Sequence, residues 1–282
     1  MDLTGQVALV TGGGSGIGLM IARGFLSAGC ERVYIAGRRV KLLEEIASMD
    51  LKFCPLQMDV NDKKSISVAV EVVRAKEGKL DVLVNAAGVP GPSSLFVADE
   101  TSPHNATLGQ SLFATESTDR WRSVFDTNAI APFFVTMAFV DLLEKGAKAR
   151  GIGATSGVVN ISSASASLKL SMAKFAYSAS KAASDHLTVN MAAEFARNDI
   201  PIRVNAIQPG VFPSEMTTEN VEALNRSLRQ KPFSGLMTKG PEVTRRCGRP
   251  EEITVPANYL ASSKFVNGVI LRVDGGVCLL NP

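Results

Sequence analysis

Short runs of β-branched and other apolar residues alternate along the chain with longer segments in which apolar residues recur at helical spacing. This alternation is typical of strands joined by crossover helices, which together build a parallel sheet. Strands are predicted over residues 7–10, 32–36, 53–58, 81–84, 157–161, 203–207 and 269–273. Helices are predicted over 16–28, 42–48, 63–76, 118–144, 174–198 and 250–262. Right-handed crossovers then give an α/β, doubly wound sandwich, a seven-stranded parallel sheet with helices on both faces.

Two segments interrupt this rhythm within what is predicted to be a single domain over residues 1–282. Residues 89–117 are rich in Pro, Ser, Thr and Gly and are predicted to form a surface insertion. Residues 211–248 are predicted to form a mobile helical flap. The flap's apolar residues suggest either a pocket cover or plain packing: Phe212, Met216, Leu224, Leu236 and Met237.

Composition narrows the class of protein. A formal net charge of +3 is too small to indicate a nucleic-acid partner. No apolar run approaches the roughly 20 residues that cross a bilayer, and the N-terminus lacks the basic region of a targeting signal, so a cytoplasmic protein is expected. The four cysteines are widely separated and are interpreted as buried, reduced thiols without a metal site: Cys30, Cys54, Cys247 and Cys278.

A glycine-rich segment, Thr-Gly-Gly-Gly-Ser-Gly-Ile-Gly over 11–18, follows the first strand and opens a helix. Glycines allow the backbone to approach a pyrophosphate, and the free N–H groups of the helix N-terminus bind its charge. The candidate phosphate-binding residues are Gly12, Gly14, Ser15, Gly16, Ile17 and Gly18. A plain glycine-rich turn is the alternative.

The end of the second strand is where an acidic residue would hydrogen-bond the ribose 2′-hydroxyl of NAD. Here the residue is Gly37, followed by Arg38 and Arg39, whose planar donors can bind a 2′-phosphate. The sequence therefore predicts NADP(H); the alternative is that the two arginines begin a solvated helix. Further candidate contacts to the adenosine lie at the next two strand ends, where turns or caps are the alternative: Asp59, Val60, Asn85, Ala86 and Gly88.

Tyr177 and Lys181 lie four residues apart, on one face of a predicted helix. A nearby ammonium can lower the pKa of a phenol and make it a better acid/base at neutral pH, and the lysine could also hold the nicotinamide ribose. A serine pair, Ser162-Ser163, ends the preceding strand and could face a substrate carbonyl. Asn128 lies inside a predicted long helix that its propensity does not favour, where it could hold a water that links Lys181 to solvent.

With these motifs in this order, the whole chain resembles a short-chain dehydrogenase/reductase of the common, roughly 250-residue type, with its Rossmann fold. The resemblance also covers Pro209-Gly210 and the run Val273-Asp274-Gly275-Gly276. It implies that Tyr177 is the acid/base, Ser163 orients the carbonyl, Lys181 anchors the ribose and Asn128 relays water. It also implies that Ser214 contacts the nicotinamide carboxamide, and it extends the cofactor-binding set to Pro209, Gly210 and Phe212.

The resemblance implies transfer of the pro-S hydride of NADPH to a ketone, with a secondary alcohol as product. One alternative is a 3-oxoacyl-carrier-protein reductase, because residues 226–249 contain seven basic side chains against the single acid Glu242 and could receive an acidic carrier. A different alternative is a protein that binds NADPH without reducing a substrate, as a sensor, scaffold or cyclisation-assisting pocket. Relatives commonly form dimers or tetramers, so a homodimer or homotetramer is expected.

Overall fold

The computed structural model describes residues 1–93, 107–218, 220–230 and 245–280, and in Gln230 the backbone alone. Its strands alternate with helices along the chain, as the hydrophobic pattern predicts. The strands are β1 (Val7–Thr11), β2 (Arg32–Gly37), β3 (Phe53–Gln57), β4 (Val82–Asn85), β5 (Ser156–Ile161), β6 (Ile202–Pro209) and β7 (Ile270–Val273). Each predicted strand is present, and the bounds differ by no more than two residues.

The strands form one sheet in the order β3-β2-β1-β4-β5-β6-β7, and every neighbouring pair is parallel. This confirms the predicted doubly wound fold. The order reverses between β1 and β4, where the chain crosses from one half of the sheet to the other. Ligands of such sheets bind outside the carboxyl ends of the strands at this switch point, so the site is expected beside Thr11 and Asn85.

The helices cover both faces of the sheet. They are α1 (Gly16–Ser27), α2 (Val40–Ala47), α3 (Lys63–Glu77), α4 (Leu108–Thr115), α5 (Thr118–Phe125), α6 (Ala131–Ala149), α7 (Phe175–Arg197), α8 (Val221–Gln230), α9 (Pro250–Ser262) and α10 (Val277–Leu280). One core packs α1, α2 and α9 on one face, around Ile21, Phe25 and Leu260. The other packs α3, α6 and α7 on the opposite face, around Val73 and Phe139. Because both faces are covered, β1, β4 and β5 are buried along their whole length.

The single helix predicted over 118–144 is interrupted. A π-helical turn, Asp126–Ile130, separates α5 from α6, and α6 continues to Ala149. Pro132 has no N–H to donate to the Asn128 carbonyl four residues earlier, which breaks the hydrogen-bond ladder at this point. Taken together, Thr118–Ala149 is long and apolar enough to cross a membrane by length and composition, contrary to the expectation from the apolar runs. Half of its most apolar window is buried inside the protein, as in the core helix of a globular fold.

Each of the two irregular segments contains a helix, which was predicted for the flap but not for the insertion. The predicted insertion includes α4, which begins with a capping box between Thr107 and Gln110. The predicted flap includes α8, whose Leu224 and Leu228 pack with Cys247. Residues 94–106 of the insertion and 219 and 231–244 of the flap lie outside the described residues. The predicted flap residues Leu236 and Met237 therefore fall there, as do Lys231, Lys239 and Glu242 of the basic segment.

The four cysteines were predicted to be buried, and this is correct for two of them. All four thiols are free, but only Cys30 and Cys247 are buried, and Cys54 and Cys278 are half-buried. Cys54 lies on β3, one of the two edge strands of the sheet as the described residues form it.

Candidate active site

The phosphate loop forms where β1 ends and α1 begins. Gly12 has a φ of +65°, and a Cβ on it would lie 2.9 Å from the backbone of Ala87. A Cβ on Gly18 would collide with the carbonyl of Gly12. Both positions therefore require glycine, since any side chain would push the loop away from the strand ends. Thr11 fixes the same region, because its hydroxyl accepts hydrogen bonds of 3.1 Å from the N–H groups of Ala86 and Ala87.

A cavity of about 520 Å³ lies above this loop, at the carboxyl ends of β1, β2, β3 and β4. Most of the predicted cofactor-binding residues line it: Gly12, Gly14, Ser15, Gly16, Ile17, Gly18, Arg38, Arg39, Asp59, Val60, Ala86, Gly88, Tyr177, Lys181 and Ser214. The elongated arrangement, from the arginines after β2 to the tyrosine of α7, suits a dinucleotide. We call it the cofactor cavity.

Four predicted cofactor residues lie elsewhere. Asn85 is buried, and its side-chain amide donates a 2.8 Å hydrogen bond to Asn160, which ties β4 to β5. Phe212 is also buried, and a Cβ on Gly248 would lie 2.3 Å from its ring. Pro209 and Gly210 line a different cavity, together with Phe212. Asn85 therefore ties two strands together, and the other three border the neighbouring space. The assignment of these four residues to the cofactor stays a prediction.

This second cavity has a volume of about 1130 Å³ and is lined mainly by apolar residues from β7, α8, α9 and α10. We call it the substrate cavity. Five residues line both cavities, namely Ile17, Ser162, Tyr177, Ser214 and Met216. The two spaces therefore meet at Tyr177, so that a group bound in one can reach a group bound in the other.

Tyr177 lies in the first turn of α7, with its phenol at the junction of the cavities. Burial raises the pKa of Tyr177 above its usual value of 10, and the side chain of Ser163 partly opposes this rise. The sequence-based expectation of a pKa lowered by Lys181 is wrong in this structure, because desolvation of the phenolate dominates. The phenol is therefore protonated at neutral pH, which is the form that donates a proton.

Lys181 lies one turn further along α7 and is buried. Its ammonium donates a 2.8 Å hydrogen bond to the carbonyl of Ile161 and lies 5.9 Å from the ring centroid of Tyr177. Burial lowers the pKa of Lys181 to about 8, although the nearby carboxylate of Asp185 acts in the opposite direction. Tyr177 and Lys181 therefore lie on one face of α7, as predicted, and the ammonium points to the end of β5.

The serine pair divides between two roles. Ser163 faces the Tyr177 phenol, and its hydroxyl accepts a 3.1 Å hydrogen bond from the N–H of Ser165 at the start of a short 3₁₀ turn. Ser162 also lines both cavities, but its buried hydroxyl donates to the Lys181 carbonyl at 3.3 Å and lies beside the carboxylate of Asp185. The geometry agrees with the choice of Ser163 as the serine that reaches a substrate.

Asn128 lies in the π-helical turn and is almost fully buried. Its side-chain oxygen accepts a hydrogen bond from the N–H of Val89 at 2.9 Å, and its amide donates to the Val89 carbonyl at 3.0 Å and to the Ser180 hydroxyl at 3.1 Å. Asn128 thus holds the chain that follows β4 against α7, next to Lys181. The predicted water relay stays a prediction.

Several residues of the cofactor cavity were missed by sequence reasoning. Glu215 and Met216 directly follow Ser214, and Asn61 donates a 2.9 Å hydrogen bond to Thr127 at the adenosine end. Glu215 forms an ion pair with Arg39, which is 176 positions away. No local pattern indicates such a contact, because only the fold brings the two segments together. Within the described ranges no cluster of His, Cys, Asp and Glu could hold a metal ion.

Comparison with known proteins agrees with this geometry. Residues 6–225 match the family described as short chain dehydrogenase. The short-chain dehydrogenase/reductase VdtF of Byssochlamys spectabilis is 35% identical over 100% of this chain and 95% of its own length. The rhamnolipids biosynthesis 3-oxoacyl-(acyl-carrier-protein) reductase of Pseudomonas aeruginosa is 30% identical over 98% of this chain and 97% of its own.

The fold is also that of a solved structure described as a Pseudomonas aeruginosa RhlG/NADP active-site complex. The two chains share 28% identity and a TM-score of 0.79, with 98% of each chain covered. The family match spans β1 to α8 and therefore includes the phosphate loop, Ser163, Tyr177 and Lys181. The chain belongs to the short-chain dehydrogenase/reductase family of oxidoreductases, which bind NAD(P) and act on alcohol and carbonyl groups.

Proposed function

We propose that this enzyme uses NADPH to reduce a ketone to a secondary alcohol, with Tyr177 as the proton donor. The observation that carries the proposal is the position of the Tyr177 phenol, protonated and facing Ser163, at the junction of the cofactor and substrate cavities. A carbonyl bound there would have a proton donor on its oxygen and the cofactor cavity beside its carbon.

The residues of the cofactor cavity fit a nicotinamide dinucleotide. Gly12 and Gly18 keep the phosphate loop in place below the cavity, because a Cβ on either would collide with backbone, and the N-terminus of α1 presents free N–H groups to a pyrophosphate. In addition, no acidic residue lines the α1 N-terminus in its first turn. The cavity therefore offers an anion-binding end at α1, and Tyr177 and Lys181 line its other end.

When bound in the cofactor cavity, NADPH would supply a hydride for the carbonyl carbon. Tyr177 donates its phenolic proton to the carbonyl oxygen as negative charge develops there, and the Ser163 hydroxyl donates a hydrogen bond to the same oxygen. The ammonium of Lys181 lies close enough to stabilise the phenolate that remains, since it is 5.9 Å from the Tyr177 ring. Lys181 can also donate to a ribose hydroxyl, because it lines the cofactor cavity.

The preference for NADPH over NADH is supported by the end of β2. Gly37 leaves the place of the usual acid open, and Arg38 is an exposed side chain that lines the cofactor cavity. A 2′-phosphate would meet a guanidinium there and no carboxylate on β2. The related complex with NADP is consistent with this choice.

Tyr177→Phe tests the mechanism. It removes the proton donor and should lower kcat with a ketone by at least about 10²-fold, while NADPH still binds. The matched control is Tyr259→Phe, since Tyr259 is exposed on α9, away from both cavities. Near-normal NADPH oxidation by the Tyr177 variant would overturn the mechanism. Equal kcat/KM of the wild type with NADH and NADPH would overturn the cofactor preference.

A second candidate is the reduction of a 3-oxoacyl group on an acidic carrier protein. It is favoured by the Pseudomonas aeruginosa relative and by the exposed arginines Arg226, Arg245 and Arg249, of which Arg245 lines the substrate cavity. Ion pairs at a protein surface weaken with salt. If this candidate is right, raising salt from 0.05 to about 0.5 M should raise KM for the carrier-bound substrate steeply. The KM for a small ketone should stay nearly constant.

A further inference from the structure

The two arginines that follow β2 differ in their partners. The guanidinium of Arg39 binds both carboxylate oxygens of Glu215, at 2.8 and 3.0 Å, and reaches the Ser15 hydroxyl at 3.2 Å. The side chain of Arg38 has no hydrogen-bond or ion-pair partner in the part of the chain that the structure describes. One arginine of the pair is thus engaged by a carboxylate, while the other remains open to a ligand.

The Arg39–Glu215 pair spans the cofactor cavity. Arg39 and Ser15 lie on the side of β2 and the phosphate loop, whereas Glu215 lies in the segment that follows β6. That segment is fixed close to the loop, since a Cβ on Gly16 would lie 2.8 Å from the side chain of Ser214. Glu215 therefore approaches Arg39 from the opposite wall of the same cavity.

Arg39 and Glu215 are both charged, and a competing anion can replace Glu215 on the guanidinium of Arg39. The Arg39 guanidinium holds the pKa of Glu215 below its usual value, so the carboxylate is ionised at neutral pH. Both side chains are about half exposed, at 57% for Arg39 and 48% for Glu215, and an ion pair so open to water is weak. A carboxylate and a phosphate bind the same N–H edge of a guanidinium, so that one can replace the other.

We propose that Glu215 is an internal competitor for the 2′-phosphate of NADP(H): it occupies the guanidinium of Arg39 and must be displaced when that phosphate binds. This inference rests on the proposed NADPH preference. Arg38 makes the first contact with the phosphate, and Arg39 contributes only after it exchanges its partner. Glu215 thereby weakens the binding of NADP(H) and leaves NAD(H), which has no 2′-phosphate, almost unaffected. It is a residue that determines cofactor specificity.

The test is Glu215→Gln, which keeps the shape of the side chain and removes its charge. Dissociation constants are measured by calorimetry for 2′,5′-ADP, NADP⁺ and NAD⁺. We expect 2′,5′-ADP and NADP⁺ to bind about two- to five-fold tighter, the range of one exposed ion pair, with NAD⁺ unchanged. In about 1 M salt the gain should disappear, because the charges are screened. The gain should also disappear when Arg39→Ala is combined with Glu215→Gln.

The matched control is Glu222→Gln, which removes an exposed carboxylate from α8, seven residues further along and outside the cofactor cavity. It should change none of the three constants. Weaker binding of both NADP⁺ and NAD⁺ to the Glu215 variant would overturn the proposal, since the pair would then act as a clamp over the cofactor. Unchanged binding of 2′,5′-ADP would overturn it as well.

The same measurements test the role of Glu215 and the preference for NADPH separately. If the wild type binds NADP⁺ and NAD⁺ equally, the preference for NADPH fails, and the response of 2′,5′-ADP to Glu215→Gln still reports competition. If the wild type prefers NADP⁺ and the variant binds 2′,5′-ADP no tighter, the preference stands and the role of Glu215 fails.

Discussion

The ammonium of Lys181 donates a 2.8 Å hydrogen bond to the carbonyl oxygen of Ile161, the last residue of β5. This bond joins α7 to the strand end from which Ser162 and Ser163 continue. It also keeps a cation in the interior, since Lys181 is only 5% exposed. Burial of this ammonium therefore costs stability at neutral pH, and the hydrogen bond to Ile161 offsets only part of that cost.

This cost predicts a specific dependence of stability on pH. The pKa of Lys181 is about 8 in the folded protein, below its usual 10.5. Below pH 8 both folded and unfolded states are protonated and the penalty is complete. Between pH 8 and 10.5 the folded state releases its proton first, so stability rises with pH.

Lys181→Met removes this titration. Relative to the variant, the free energy of unfolding of the wild type should increase by roughly 3 kcal/mol between pH 8 and 10.5. Urea denaturation of both proteins at several pH values measures the difference. A difference that stays constant with pH would contradict the prediction. The variant should also lose activity, because Lys181 lines the cofactor cavity and lies near Tyr177.

The serine pair provides a second prediction. Ser163→Ala removes the hydroxyl that faces Tyr177 and should lower kcat by on the order of 10²–10³-fold, like the loss of a donor to a developing oxyanion. Ser162→Ala removes the weak hydrogen bond to the Lys181 carbonyl and a hydroxyl beside the carboxylate of Asp185, and it should lower kcat less than about ten-fold. Steady-state kinetics with one ketone and NADPH compares them. The reverse order of effects would assign the catalytic role to Ser162.

Gly37 allows a switch of cofactor. A Cβ on Gly37 has only Leu43 within 4.0 Å, so a side chain fits. Gly37→Asp places a carboxylate where it can accept a hydrogen bond from a ribose 2′-hydroxyl and repel a 2′-phosphate. The ratio of kcat/KM for NADPH to that for NADH should fall on the order of 10²-fold.

Gly37→Asn is the matched control, because it fills the same space without charge and should change the ratio much less. An equal change in both variants would mean that the shape of the cavity, and not charge, excludes the 2′-phosphate.

Asn128 is predicted to stabilise the chain that follows β4. Asn128→Ala would leave the N–H and carbonyl of Val89 without their partners, at a cost of about 1–3 kcal/mol. For a protein of this size the melting temperature should fall by about 2–4 °C per kcal/mol, measured by calorimetry. Asn190→Ala, on the exposed side of α7, should leave it nearly unchanged. A wild-type melting temperature for Asn128→Ala would show that Val89 finds other partners.

The sequence by itself determined the fold and the chemical class. Strands with continuous apolar runs and helices with 3.6-residue spacing are local patterns, and they predicted the parallel sheet to within two residues at each strand. The glycine loop and the Tyr177/Lys181 spacing are equally local, because one helix turn or one strand end carries each motif. The single domain, the cytoplasmic location and assembly into dimers or tetramers stay predictions.

Only the tertiary structure decided the properties that depend on burial or on contacts between distant segments, namely pKa values, core positions and long-range ion pairs. The pKa of Tyr177 rises because packing desolvates the phenol, which spacing along a helix cannot indicate. Phe212 and Asn85 are placed in the core by neighbours far along the chain. The Arg39–Glu215 pair joins residues 176 positions apart, and only the parallel sheet brings the ends of β2 and β6 to the same edge. Local pattern fixes which elements form, whereas the free energy of each charged group depends on what the assembled fold packs around it.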